Sequence, residues 1–296
     1  MRALPLLLVF AVAPACAQTD KPSASGDPSD RRADTLVVSP EAKPGTEVSV
    51  PVGPGTTSVG YWDVNAGETP VRIARREAFG REGTPEAIHM LNLHDDESTS
   101  VDAALDVTRE TGGWVVELQH SGDRNLAFTV GGERFAADPN RMFTDAGRAK
   151  TLASLSRATP EAEAALETFA ASVLKAYTDL DPAVVVTLHN NTEDNYSVAS
   201  YASGGAYEAD AEAVTLHPGT DPDDFFFVTD RALYDALVAR GFNAVLQDNA
   251  RATDDGSLSV WAAQNGRPYV NVEAQHGHRE EQARMIRALV EVIAAR

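Results

Sequence analysis

The chain has 296 residues, and 43% of them are hydrophobic, so it is long enough and apolar enough to bury a core. It carries 44 acidic and 25 basic side chains, and its formal net charge of −19 excludes nucleic acid as an expected partner, because phosphate binding needs a basic face. The single cysteine, Cys16, excludes a disulfide within the chain and a cysteine-type zinc site.

The first residues have the pattern of a secretory signal peptide. A positive start at Arg2 precedes a short apolar segment, and small residues surround a cleavage point after Ala17. We therefore expect a signal peptide over residues 1–17 and an exported, periplasmic or extracellular protein. The alternative is a lipoprotein that is cleaved before Cys16 and anchored through it. No later segment is apolar enough to span a membrane.

Strand and helix patterns alternate along most of the chain. Residues 18–45, rich in Asp, Ser, Pro, Lys and Ala, predict a disordered linker, and residues 46–296 predict a single catalytic domain. The alternation predicts an α/β fold whose central sheet is mainly parallel or mixed, with helices on both faces. The predicted strands are Thr46–Val52, Val71–Ile73, Ile88–Leu93, Trp114–Leu118, Leu126–Val130, Ala183–Leu188, Ala244–Leu246 and Tyr269–Val272. The predicted helices are Ser98–Arg109, Pro160–Tyr177, Asp230–Arg240 and Arg279–Ala295.

Three of the predicted strands lead into side chains that bind metals or transfer protons. One leads to His94 and, three residues later, Glu97; the second ends in His189; the third ends in Glu273. The carboxyl ends of parallel strands share one edge of a sheet, where α/β proteins bind ligands. A catalytic zinc takes three protein ligands and leaves one position for water. His94, Glu97 and His189 are therefore the predicted ligands, and Glu273 is placed to take a proton from that water.

The polar run after the first of these strands also has a simpler interpretation. A polar strand end can serve only to begin the next helix, with Asp96 or Ser98 as its N-cap. The second histidine and the glutamate at the other strand ends favour the metal site.

Four short segments, taken together, resemble the motifs of a known enzyme family. Asp138-Pro139-Asn140-Arg141-Met142-Phe143 is similar to an Asp-x-Asn-Arg-x-Phe motif, and His94-Asp95-Asp96-Glu97 to a His-x-x-Glu motif. Leu188-His189-Asn190-Asn191-Thr192 is similar to a second-histidine motif, and Val272-Glu273-Ala274 to a strand with a general base. In this order they resemble the succinylglutamate desuccinylase/aspartoacylase family of the wider zinc carboxypeptidase (M14-like) superfamily.

The resemblance implies roles for the residues at these motifs. His94, Glu97 and His189 would hold Zn²⁺. Glu273 would act first as general base and then as general acid.

The resemblance also implies a pocket for a substrate carboxylate. Asn140 and Arg141 would bind that carboxylate, because a planar guanidinium suits bidentate pairing. Arg134 is the nearest candidate for an arginine that polarises the scissile carbonyl and stabilises the oxyanion. The simpler interpretations are an ion pair of Arg141 with Asp138 or Asp145, and a surface charge at Arg134.

The expected function is an exported zinc hydrolase that cleaves an amide or peptide bond adjacent to a carboxylate, with a peptide or acyl-amino-acid substrate. The family's arginine for an acyl-side carboxylate has no clear counterpart, since Arg251 and Arg267 are poorly placed. Residues 256–262 instead resemble a Gly-Ser-x-x-x-Trp-Ala stretch of zinc carboxypeptidases. The alternatives are an N-acyl-amino-acid deacylase and a non-catalytic binding domain on the same fold.

Two further patterns have no role in this interpretation. His276 and His278 follow the predicted base and could line the pocket or bind a second metal, but exposed loop histidines are the simpler expectation. The run Asp221-Pro222-Asp223-Asp224 suggests calcium by composition but lacks a known loop pattern, so a solvated acidic turn is the simpler expectation.

Overall fold

A computed structural model describes residues 57–78, 88–193 and 195–296. The predicted signal peptide, the predicted linker and the predicted strand Thr46–Val52 lie outside the described residues. The strands are β1 Thr57–Ala66, β2 Thr69–Ala78, β3 Ile88–Asn92, β4 Gly113–Gln119, β5 Leu126–Val130, β6 Glu133–Ala137, β7 Val185–Asn191, β8 Ala211–Thr215, β9 Phe225–Val228, β10 Ala244–Gln247 and β11 Tyr269–Gln275. The helices are α1 Ser98–Thr111, α2 Asp145–Leu155, α3 Pro160–Thr178, α4 Arg231–Val238, α5 Leu258–Gln264 and α6 Arg279–Ala294.

Most strands of the described part belong to one mixed sheet. Its order is β1-β2-β4-β3-β7-β11-β9-β10-β8, and β5 and β6 form a separate hairpin. The four central strands, β4, β3, β7 and β11, run parallel to one another. Antiparallel pairs flank them on both sides, β1–β2–β4 on one side and β11–β9 on the other. The mixed form of the predicted sheet is therefore confirmed.

Helices cover both faces of this sheet, as the alternating patterns predict. Successive side chains of a strand point to opposite faces. Met90 belongs to the core formed with α1, α4 and α6, and its neighbour Leu91 belongs to the core formed with α2, α3 and α5. Both side chains are fully buried. Among the described residues, none of the helices combines the length and apolar character needed to cross a bilayer.

Several elements were missed by the sequence patterns. They are β1, most of β2, β6, β8, β9, α2 and α5. The four residues Phe225–Val228 are all buried, but such a short apolar run shows no alternation that marks a strand. The start of helix α2 carries a residue type that is typical of an N-cap, Thr144. In the structure its hydroxyl accepts a hydrogen bond from the amide of Gly147.

The first residues of α1 differ from the simple capping expectation. The residue at the N-cap is Glu97, and its side chain makes no capping hydrogen bond. The alternative that Asp96 or Ser98 caps this helix is therefore wrong. The carboxylate of Glu97 points instead toward two histidines.

Candidate metal centre and active site

The three central strand ends bring the predicted ligands together. Asn92, the last residue of β3, is the Cα partner of Leu188 on β7, so His94 lies just beyond the end of the sheet beside His189. On the other side, His189 is the Cα partner of Glu273 on β11. Side chains in register on neighbouring parallel strands point to the same face, which places Glu273 next to the two histidines.

His94, Glu97 and His189 form a compact triangle of ligand atoms. His94 Nδ1 lies 2.8 Å from Glu97 Oε1, and His189 Nδ1 lies 2.9 Å from Glu97 Oε2. The two Nδ1 atoms are 3.1 Å apart. All three side chains are buried, with relative exposures of 1% for His94, 1% for Glu97 and 4% for His189.

This triangle fits a small divalent metal. Zinc bonds of about 2.0–2.1 Å at tetrahedral angles separate ligand atoms by about 3.3 Å, close to the separations of the three atoms here. Two imidazole nitrogens and one carboxylate are a donor set that zinc takes in hydrolytic sites. The arrangement also suits other first-row divalent ions.

The charges of the triangle depend on one another. Burial alone would lower the pKa of His94, but Glu97 and Asp138 outweigh burial and raise this pKa to about 9. Burial alone would raise the pKa of Glu97, but the two histidines hold it well below its ordinary range. Burial lowers the pKa of His189. Without a metal, one positive imidazole therefore lies between two carboxylates.

Asp138 supports the first histidine from outside the triangle. Its Oδ1 atom lies 2.8 Å from His94 Nε2, and it also accepts the backbone amide of Asn140. A carboxylate on the far nitrogen fixes the tautomer and orientation of a metal-binding histidine. The sequence analysis considered Asp138 only as part of a motif and as a partner of Arg141, and its contact with His94 gives it a positioning role.

Glu273 has the environment of a general base. Its side chain is buried, and the Asn271 amide donates a 2.9 Å hydrogen bond to its Oε2 atom. Burial, and after it the charge of Glu97, raises the pKa of Glu273 to about 8. A base whose pKa lies near neutrality can both accept and return a proton at working pH.

Arginine at this site comes from a different position than the sequence suggested. Arg134 is exposed on β6, where it is the cross-strand partner of Thr129 near the turn of the hairpin. Arg124 precedes the hairpin, and its NH1 atom lies 2.6 Å from Glu97 Oε1. The hairpin folds its two ends together, so Arg124 meets Asp138, at 3.9 Å, while Arg134 is carried away. Arg124, and not Arg134, is therefore the arginine that contacts Glu97 and Asp138.

Asp95, which had no role in the sequence interpretation, holds the loop that carries this arginine. Its Oδ2 atom accepts hydrogen bonds of 2.7 Å from the amides of His120 and Gly122. The acidic residue beside His94 therefore positions the turn from which Arg124 reaches Glu97.

Asn140 and Arg141 lie on a 3-10 turn beside the triangle. Asn140 Nδ2 is 3.2 Å from His189 Nε2, and Asn140 Oδ1 accepts the amide of Leu258. Arg141 donates to the Asn140 carbonyl at 2.7 Å, and its Nε lies 3.2 Å from Asp255 Oδ2. Arg141 thus forms its ion pair with Asp255, whereas the simpler interpretation paired it with Asp138 or Asp145.

Two glycines, one at the start of α2 and one in the loop that follows β10, allow the backbone after this turn to contact that loop. A Cβ atom on Gly147 would overlap the backbone of Gly256, and Gly256 itself has a positive φ of 81°. The amide of Phe143 donates to the Gly256 carbonyl at 3.0 Å. The close approach holds Arg141 and Asp255 in fixed relation.

Tyr196 and Tyr201 form an aromatic cluster with Phe225, and both phenols interact electrostatically with Arg141. Their hydroxyls are 2.6 Å apart, and both rings pack on Phe225. Burial is the main cause that raises the pKa of each phenol, so each keeps its proton. The ring of Tyr207 also contacts both tyrosines, but its side chain is exposed.

Comparison with known proteins gives similarities at low identity. No protein-family description matches the chain, and no curated protein does. Murein-tripeptide amidase MpaA from Escherichia coli O157 is similar in structure, with 15% identity over 78% of this chain and 91% of that chain and a TM-score of 0.38. A provisionally named metallopeptidase from Shewanella denitrificans OS217 has 16% identity over 79% and 83%, with a TM-score of 0.38.

A provisionally named succinylglutamate desuccinylase/aspartoacylase from Shewanella frigidimarina NCIMB 400 has 13% identity over 79% of this chain and 72% of that chain, with a TM-score of 0.36.

Proposed function

We propose that this chain is an exported zinc-dependent hydrolase that cleaves an amide or peptide bond adjacent to a carboxylate. The observation that carries the proposal is the buried triangle of His94, Glu97 and His189 beside the buried carboxyl of Glu273. A site that served only to stabilise the fold would have no need of a second carboxyl group with a pKa near 8.

The chemistry follows from the positions of these groups. When bound, a divalent metal supplies Lewis acidity that lowers the pKa of a water in its open position. Glu273 then accepts a proton from the attacking water and returns it to the leaving nitrogen. Arg124 brings a fixed positive charge to the site, where it can stabilise charge that develops on the scissile carbonyl.

The carboxylate preference is supported by the arginine pocket. The Arg141 side chain is 36% accessible, and it interacts electrostatically with the phenols of Tyr196 and Tyr201. A substrate carboxylate at this arginine would also lie near the Asn140 side chain. Asp255, paired with the same arginine, adds a negative charge that would favour a substrate with a neighbouring positive group.

Export is the reason for favouring a peptide substrate over a metabolic acyl-amino acid. Residues 1–17 have the pattern of a signal peptide, so the protein is proposed to act in the periplasm or outside the cell. Anchoring through a lipid on Cys16 is the alternative mode of export.

One experiment tests the metal and the mechanism together. Purified protein is assayed for metal content and for amines released from a panel of peptides and acyl-amino acids. We expect Glu273→Gln to keep its metal at the triangle and to lose about 10²–10⁴-fold in hydrolysis, since it removes only proton transfer. His94→Ala and His189→Ala should lose both the metal at the triangle and the activity.

The possible results separate the competing functions. Release of amines only from acyl-amino acids would favour the deacylase alternative. A panel with no turnover, in protein that holds zinc, would favour a binding domain. Full hydrolysis by Glu273→Gln would refute the proposed mechanism.

A further inference from the structure

We propose that Asp221, Asp224 and His278 form a second site for a divalent transition metal, separate from the candidate active site. These residues come from the two patterns that the sequence left without a role, the acidic run before β9 and the histidine before α6. The ligand atoms of the three side chains all lie within 4.8 Å of one another.

The geometry of the cluster directs an imidazole at a buried carboxylate. His278 Nδ1 lies 3.0 Å from one oxygen of Asp224 and 3.2 Å from the other. Asp224 is 8% exposed, His278 is half-buried, and Asp221 is exposed at the rim. Metal bonds of about 2.0–2.2 Å require these atoms to close in by less than 1 Å, and the exposed Asp221 side chain has room to move.

A hydrogen bond between His278 and Asp224 does not account for the whole arrangement. Two carboxylates held this close repel each other, and a cation between them removes that repulsion. The cluster therefore has the charge and the directed imidazole that a cation site needs.

The cleft around the cluster has room for an ion and its water. It has a volume of about 800 Å³ and an acidic rim that includes Glu280. Its two arginines are paired with other acids: Arg279 binds Asp106, and Arg284 binds Glu281. Neither guanidinium forms an ion pair with the cluster.

The donor set decides the class of metal. Calcium and magnesium prefer sites made of oxygen alone, whereas one imidazole with two carboxylates suits zinc, manganese and similar ions. The three side chains leave further positions for water. We therefore expect zinc to bind here more tightly than calcium.

The position of the site explains what such an ion would do. Asp224 Oδ1 also accepts the backbone amide of Gln275, two residues after Glu273. His278 is the N-cap residue of α6. An ion here would cross-link the loop before β9, the end of β11 and the start of α6, and would stiffen the strand that carries the general base.

The test is a zinc titration of the metal-free full chain, followed by calorimetry and by metal analysis after dialysis. The wild type should bind two equivalents, His278→Gln one, and the matched control His276→Gln two. His94→Ala should retain one equivalent with a micromolar or lower Kd. Zinc at 100 times that Kd should raise its Tm by roughly 5–10 °C.

A second variant guards against a folding defect in His278→Gln. Asp221 is exposed, so Asp221→Asn should fold normally by circular dichroism and bind the second zinc at least 10-fold more weakly. One equivalent in the wild type, two in His278→Gln, or a second Kd in the millimolar range would each overturn the proposal. Calcium binding this site more tightly than zinc would overturn the assignment of the metal class.

Discussion

Changing Glu273 to glutamine should make the metal-free protein more stable, by an amount that grows with pH. The carboxyl is buried and its pKa is raised from 4.5 to about 8, first by burial and then by the charge of Glu97. The folded state therefore binds this proton more tightly than the unfolded chain. As a result, the free energy of unfolding falls as pH rises from the lower pKa to the higher one, and then levels off.

The size of the effect follows from the two pKa values. One pKa unit corresponds to about 1.4 kcal/mol, so ionisation of the unfolded chain destabilises the fold by about 1 kcal/mol at pH 5 and about 3 kcal/mol at pH 7. Glutamine has nearly the same shape, cannot ionise, and keeps an oxygen for the hydrogen bond from Asn271. Glu273→Gln should recover most of that loss.

The assay is urea unfolding of chelator-treated protein at pH 5 and pH 7, with Tm as a second measure. For a domain of this size, about 3 kcal/mol corresponds to roughly 6–12 °C. Glu161→Gln, an exposed change on α3, controls for removing one negative charge from a chain of net charge −19. An equal difference at both pH values, or a variant less stable than wild type at pH 7, would refute the reasoning.

Three further tests each address a single contact. In steady-state assays with a substrate from the panel, Arg124→Ala should lower kcat/KM by about 10²–10³-fold, and Arg134→Ala should stay near wild type. Equal losses in the two variants would contradict the choice of Arg124 over Arg134. Asp138→Asn should weaken zinc binding by about 10–100-fold in chelator competition, because it removes the charged partner of His94 Nε2. An unchanged zinc affinity would show that Asp138 does not position His94 for the metal. Gly147→Ala should destabilise the protein by about 1–3 kcal/mol in urea unfolding, because its methyl group overlaps the backbone of Gly256. An unchanged urea midpoint would show that the two backbone segments can move apart.

The parts of the site that lie on regular elements could be predicted from the sequence. A buried strand ends abruptly in polar residues, and the carboxyl ends of parallel strands meet at one edge. That rule is enough to bring His94, His189 and Glu273 together. Glu97 follows because it begins the helix after the first strand, on the same side as His94.

The parts that come from loops could not be predicted in this way. Arg124 lies in a polar turn like many others, and only the β5–β6 hairpin shows that it returns to the site while Arg134 leaves it. Asp255 lies 114 residues after Arg141 in the sequence, and its contact depends on the packing of two irregular segments. No periodicity in either segment encodes that packing.

The contact between Gly147 and Gly256 constrains how substrate preference can change. The turn with Asn140 and Arg141 and the loop with Asp255 touch through bare backbone, so neither can accept an insertion or a bulkier residue at this point without displacing the other. An evolving or engineered enzyme would have to exchange both segments as a pair. Transplanting one of them alone from a relative should give a pocket whose charged groups no longer meet.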